Sequence, residues 1–107
     1  MLQDYFSFDE RLGILLPNLL LDWEDYSHEQ QQAILTEWEC IRGDIPDRIK
    51  RLEFSINYKQ EQLNNEADFV VSCKLNSEIA ELASIINDLW IWFRSNQKVS
   101  DDVKIHG

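Results

Sequence analysis

Apolar residues in the second half of the chain recur at the spacing of a helical seam. The last series steps alternately by four and three positions through Leu75, Ile79, Leu82, Ile86, Leu89 and Phe93. An earlier series contains Ile49, Leu52, Ile56 and Leu63. Steps of three and four keep side chains on one face of a long helix. The pattern therefore predicts two long helices that pack against each other as an antiparallel hairpin.

Signals for helix ends divide the rest of this region. Ser27 followed by Gln30 is typical of a capping box and predicts a helix from about His28 to Arg42. Gly43 then stops that helix.

The two helices of the hairpin have their own boundary residues. Asp44 is the expected cap of the first, and Pro46 suits its first turn, where a missing amide costs nothing. That helix should run to about Leu63, with a reversal at Asn64-Asn65-Glu66, because Asn tolerates left-handed backbone geometry. The final helix is expected from Ala67 to about Ser95.

The first 24 residues are dense in large apolar side chains. Asp9-Glu10 suits a helix start, and Pro17 suits the first turn of a second helix, so we expect one short helix to about Leu16 and another after it. The predicted fold class is all-α: a long antiparallel helical hairpin with an irregular helical amino-terminal cap. Residues 1–96 form one domain in this interpretation, and residues 97–107 form a disordered tail.

Charge restricts the class of partner. Twenty acidic and ten basic residues give a net charge of −10, and most of that excess lies in the first half. Phosphate backbones and anionic lipid are repelled by such a surface, so we expect no direct nucleic-acid binding and no membrane binding. A basic protein partner is compatible. Cys40 and Cys73 belong to no metal-binding pattern and no secretory signal is visible, which favours free thiols in the cytoplasm.

One stretch resembles a known helical motif. The residues DFVVSCKLNSEIAEL, from Asp68 to Leu82, are similar to the second arm of the UVR motif, a hairpin found in excinuclease subunits B and C and in Clp chaperone systems. Asp68, Phe69, Leu75, Glu78, Ile79 and Leu82 match its pattern. Val70, Asn76 and Ser77 depart from it. The resemblance implies a protein-binding hairpin that can pair with a like hairpin.

Carboxylates on the final helix raise an enzymatic alternative. Glu78, Glu81 and Asp88 are spaced like the magnesium ligands of all-α nucleotide pyrophosphohydrolases. A matching acidic pair on a neighbouring helix is missing, because Glu37 and Glu39 face different sides of theirs. We therefore predict no catalytic residue, no cofactor and no metal, and treat these acids as a solvated face.

An aromatic run near the end of the final helix is harder to place. Leu89-Trp90-Ile91-Trp92-Phe93 puts bulky side chains around the whole helix, and one partner helix covers one side only. Either the amino-terminal segment covers the rest, or a partner does. In the second case the predicted partner-binding residues are Trp38, Arg42, Trp90, Trp92 and Arg94.

The sequence thus favours a small acidic cytoplasmic protein-binding module without catalytic activity, acting as an adaptor, inhibitor or immunity-type partner. We expect a homodimer formed through the aromatic run. The alternatives are the metal-dependent pyrophosphohydrolase and a DNA mimic that inhibits a nucleic-acid-binding protein.

Overall fold

The computed structural model describes residues 2–95 and shows a mostly helical protein with a small antiparallel sheet. The predicted tail at 97–107 lies outside these residues. The helices are α1 (His28–Gly43), α2 (Ile45–Asn64) and α3 (Phe69–Phe93). The strands are β1 (Phe6–Asp9) and β2 (Ile14–Pro17), and two 3-10 turns lie at Leu2–Tyr5 and Trp23–Asp25.

Helix α1 begins at the predicted capping box. The Gln30 amide donates to Ser27 Oγ at 3.1 Å, and the Ser27 amide donates to Gln30 Oε1 at 2.8 Å. Each side chain thus satisfies a backbone N–H that has no partner inside the helix. The prediction of this helix and its start is confirmed.

The junction of α1 and α2 is a bend rather than a new start. Asp44 keeps a helical backbone (φ −87, ψ −11) and its side chain caps nothing. A capping residue needs an extended backbone, so the prediction that Asp44 caps α2 is wrong. Pro46 lies in the first turn as predicted. The two helices together form one long, bent helix.

Helices α2 and α3 form the predicted hairpin, but the reversal between them differs from the expected one. Asn65 has φ −107, and no residue of the reversal between Asn64 and Asp68 has a positive φ. Helix α3 begins two residues later than predicted because Asp68 Oδ1 accepts from the Val70 and Val71 amides and fixes the start there. The seam also contains an ion pair, with Lys59 Nζ 3.4 Å from Glu78 Oε1.

The hydrophobic core lies at one end of this hairpin. Its central residues are Ile34, Trp38, Ile45, Ile49 and Leu89, each at most 1% exposed. The core reaches Leu52 on α2 and Ile85 on α3, while the hairpin continues beyond both. The molecule is accordingly elongated, measuring 60 × 26 × 21 Å.

The amino-terminal segment is a β-hairpin, and the prediction of short helices there is wrong. Phe6 pairs with Pro17 and Asp9 with Ile14. The turn closes because Asp9 Oδ1 accepts from the Leu12 amide at 2.8 Å and Gly13 takes φ +75, a conformation that glycine adopts without strain. The fold is therefore not purely all-α.

The β-hairpin covers the helical core with one fully buried residue on each strand, without a regular alternation of burial. Phe6 and Ile14 are buried, whereas Phe8 and Leu15, which pair across the strands, are exposed. Arg48 Nε of α2 donates to the Leu12 carbonyl at 3.1 Å, which ties the turn to the long helix. This segment caps the core as predicted, but with a different secondary structure.

Candidate protein-binding surfaces

The acidic side chains that suggested a metal site are paired with basic ones. Arg11, in the β-hairpin turn, donates to Glu81 at 3.0 Å, to Ser84 Oγ at 2.8 Å and to Asp88 at 2.8 Å. The hydrogen bonds to Asp88 and then to Glu81 raise the pKa of the Arg11 guanidinium above its usual value. Glu78 is paired with Lys59. Within the described residues, no group of His, Cys, Asp and Glu is arranged to hold a metal ion.

The predicted partner-binding residues do come together, at the corner where the ends of α1 and α3 meet. The Trp38 and Trp92 rings meet edge to face with centroids 5.8 Å apart. Arg42 lies over the Phe93 ring, 4.9 Å from its centroid, and donates to the Phe93 carbonyl at 3.4 Å. These contacts hold α1 against α3.

Burial separates the five residues into three groups. Trp38 is 1% exposed, so it packs the core and offers no surface to a partner. Trp92 and Arg42 are half-buried in contacts within the chain. Trp90 (38% exposed) and Arg94 remain accessible, next to Ile91 at 51%. We refer to Trp90, Ile91 and Arg94 as the aromatic corner.

A second set of exposed apolar side chains lies at the opposite end of the molecule. We call residues 53–81 the distal arm, the part of the hairpin beyond the core. Its exposed large apolar residues are Phe54 (75%), Tyr58 (59%), Phe69 (80%), Val70 (75%) and Val71 (40%). Elements α1, β1 and β2 pack at the other end of the hairpin and leave these side chains open.

Sequence reasoning missed this surface although a signal was present. Phe54 and Tyr58 are four positions apart and fall outside the seam series of α2, so they face away from α3. An apolar pair off the seam has no partner within a two-helix hairpin. The seam positions alone do not reveal this surface.

A groove lies beside the first turns of α2. It encloses about 610 Å³ between the β-hairpin and the helix. Phe8, Leu15 and Ile41 form its apolar wall, and Asp44, Asp47, Arg48 and Arg51 form its charged wall. Its mixture of apolar and charged walls suits a peptide segment better than a small apolar molecule.

No protein-family model, curated protein or solved structure matches this chain. The helices within residues 2–95 include none with the length and apolarity needed to cross a membrane.

Proposed function

We propose that this protein is a protein-binding module whose distal arm is the docking element. The observation that carries the proposal is the exposure of Phe54, Tyr58, Phe69 and Val70 on a part of the hairpin that projects beyond the core. Exposed aromatic residues on a projecting element are typical anchors of protein interfaces.

Energetic considerations favour a binding role over a purely structural one. The core ends at Leu52 and Ile85, so the arm adds little to the packing that stabilises the domain. Leu75 of α3 is buried within the arm. The Lys59–Glu78 ion pair lies in the seam between the two helices, at a position where an apolar pair would bury more apolar surface. A projecting hairpin with exposed aromatic residues risks aggregation unless something covers them. A partner that covers them removes that liability.

The remaining features of the proposal concern location and class of partner. A chain of net charge −10 avoids anionic surfaces, which supports a protein partner rather than a nucleic acid or a lipid. We propose the cytoplasm as its location because neither Cys40 nor Cys73 forms a disulfide. All but the last of the UVR-like residues from Asp68 to Leu82 lie on the same arm, and the protein-binding role that the resemblance implies agrees with this assignment.

The hydrolase alternative receives less support from the geometry. Glu81 and Asp88 accept from Arg11, and Glu78 accepts from Lys59. A divalent ion at these carboxylates must displace basic groups already in place. We therefore propose that these acids fasten the β-hairpin and the seam.

Affinity capture with matched variants tests the proposal. The bait is the full chain, compared with a Phe69→Asp/Val70→Asp variant and a Leu20→Asp control. Acidic residues are favourable in the first turn of a helix, so the arm variant should stay folded, and circular dichroism checks this. Leu20 is an equally exposed apolar residue away from the arm.

We expect the wild-type chain and the Leu20→Asp control to retain the same proteins, and the arm variant to lose them. Retention of one set of proteins by all three baits, or of none by any, contradicts the proposal.

A further inference from the structure

We propose that the outward face of α2 binds α2 of a second copy, antiparallel, around a two-fold axis beside residue 56. This inference rests on the proposed function, because it names the partner of one face of the distal arm. Its support is the arrangement of charge and aromatic side chains along that face.

The outward face is a continuous stripe. Its residues, separated by alternate steps of four and three, are Asp47, Arg51, Phe54, Tyr58, Glu61 and Asn65. All of them are exposed. The seam of α2 runs through Ile45, Ile49, Leu52, Ile56, Lys59 and Leu63, on the opposite side of the helix. At about 1.5 Å per residue the stripe is about 27 Å long, enough for a helix-to-helix contact.

The stripe is complementary to itself when reversed. Two antiparallel helices related by an axis at residue 56 place each residue opposite the one at equal distance on the other side. Phe54 then lies opposite Tyr58 of the second copy, and Arg51 lies opposite Glu61 of the second copy. Each contact occurs twice, as an isologous interface requires.

The charges used in this pairing are available. Among the described residues neither the Arg51 guanidinium nor the Glu61 carboxylate forms an ion pair, whereas Lys59 is already held by Glu78. The start of α2 carries acidic residues (Asp44, Asp47 and Glu53) as well as basic ones (Arg48, Lys50 and Arg51), so the complementarity is a property of the stripe itself. The antiparallel arrangement places Arg51 opposite Glu61 of the second copy, whereas a parallel one places Arg51 opposite Arg51 and Glu61 opposite Glu61.

The groove extends the same contact. It shares Asp47 and Arg51 with the stripe, and Asn65 of the second copy lies opposite Asp47 in this register. The hairpin turn of each copy therefore approaches the groove of the other. Phe69 is exposed just after that turn, and Phe8 and Leu15 belong to the apolar wall of the groove.

Net charge opposes this association only weakly at physiological salt. Copies of charge −10 repel each other at long range, but ions screen charges more than about 8 Å apart, so the local pairs decide.

A charge-reversal experiment tests the register. Sedimentation equilibrium is measured for wild type, Arg51→Glu, Glu61→Arg, and an equimolar mixture of the two variants. Lys74→Glu, an exposed position on α3, is the control with the same charge change as Arg51→Glu. Circular dichroism establishes that each variant is folded.

We expect the wild type and Lys74→Glu to dimerise alike. Each stripe variant alone should dimerise about tenfold more weakly, because like charges then meet at both ends of the contact. The mixture should recover the wild-type affinity. In a mixed dimer the acidic side chain introduced by Arg51→Glu lies opposite the basic side chain introduced by Glu61→Arg only if the helices run antiparallel in this register.

Three outcomes overturn the inference. These are a wild-type monomer at high micromolar concentration, a dimer that tolerates both reversals, or a dimer weakened by Trp90→Ala and unaffected at the stripe. The last places the contact at the aromatic corner. Suppose that the wild-type chain is a monomer and that the Phe69→Asp/Val70→Asp variant still loses the captured proteins. The second copy is then not the partner, and the proposed binding role of the distal arm stands.

Discussion

Arg11 and Asp88 join the turn of the β-hairpin to the final helix. The Arg11 Nη1 to Asp88 Oδ2 distance is 2.8 Å across a separation of 77 positions. The same guanidinium contacts Glu81 and Ser84, so one side chain spans two turns of α3. Arg48 holds the neighbouring Leu12 carbonyl from α2. Both helices of the hairpin are thereby connected to the β-hairpin turn.

Replacing Arg11 should loosen the β-hairpin while leaving the helices formed. We expect Arg11→Gln to increase amide hydrogen exchange in β1 and β2 and to lower the melting temperature, because its contacts to Glu81 and Asp88 are lost together. Lys74→Gln serves as control, because within residues 2–95 the Lys74 side chain forms no ion pair between elements. Equal exchange in both variants contradicts the role assigned to Arg11.

The two internal glycines should respond oppositely to alanine. Gly13 has φ +75, and a Cβ there lies 2.7 Å from Arg48 Nε, so Gly13→Ala should destabilise the protein by about 1–2 kcal/mol. Gly43 is in helix α1 with nothing within 4 Å of its Cβ position. Gly43→Ala should therefore stabilise by about 0.5–1 kcal/mol. Urea denaturation of both variants measures the difference, and effects of the same sign argue against the turn geometry.

Packing at the core end of α3 should be sensitive at Leu89 and insensitive at Ile91. Leu89 is 0% exposed, so Leu89→Ala leaves a cavity and should cost about 2–5 kcal/mol. Ile91 is 51% exposed, and Ile91→Ala should cost about 1 kcal/mol or less. Thermal unfolding at matched concentration compares them. A larger loss at Ile91 means that a partner covers the aromatic corner.

We expect no hydrolysis of nucleoside triphosphates in the presence of magnesium or manganese. The reason is that Glu78, Glu81 and Asp88 are each paired with Lys59 or Arg11. Phosphate release is measured with the wild-type chain and with Glu78→Gln. Turnover that the substitution abolishes supports the hydrolase alternative instead.

Local chemistry explains which elements the sequence predicted well. The Ser27 and Gln30 capping box and the apolar seam of α3 depend on residues three and four positions apart. This spacing is a property of one helix, so both features can be recognised without a tertiary structure. The hairpin of α2 and α3 was predicted on this basis.

The amino-terminal segment and the candidate surfaces depended on distant residues. Pro17 and Asp9-Glu10 suggested short helices, yet the β-hairpin is held by Arg48 and α3 contacts that lie far along the chain. Tryptophan often anchors interfaces, but the Trp38 side chain is buried and its ring packs against Trp92 of the same chain.

The sequence by itself determined the long helices, their hairpin and the net charge of −10, because helix periodicity and net charge are properties of the chain alone. Only the tertiary structure decided that Arg11 pairs with both Glu81 and Asp88, that Trp38 is buried, and that Phe54 and Tyr58 are exposed. Burial and pairing depend on which elements meet, and here those elements are brought together by contacts between residues tens of positions apart.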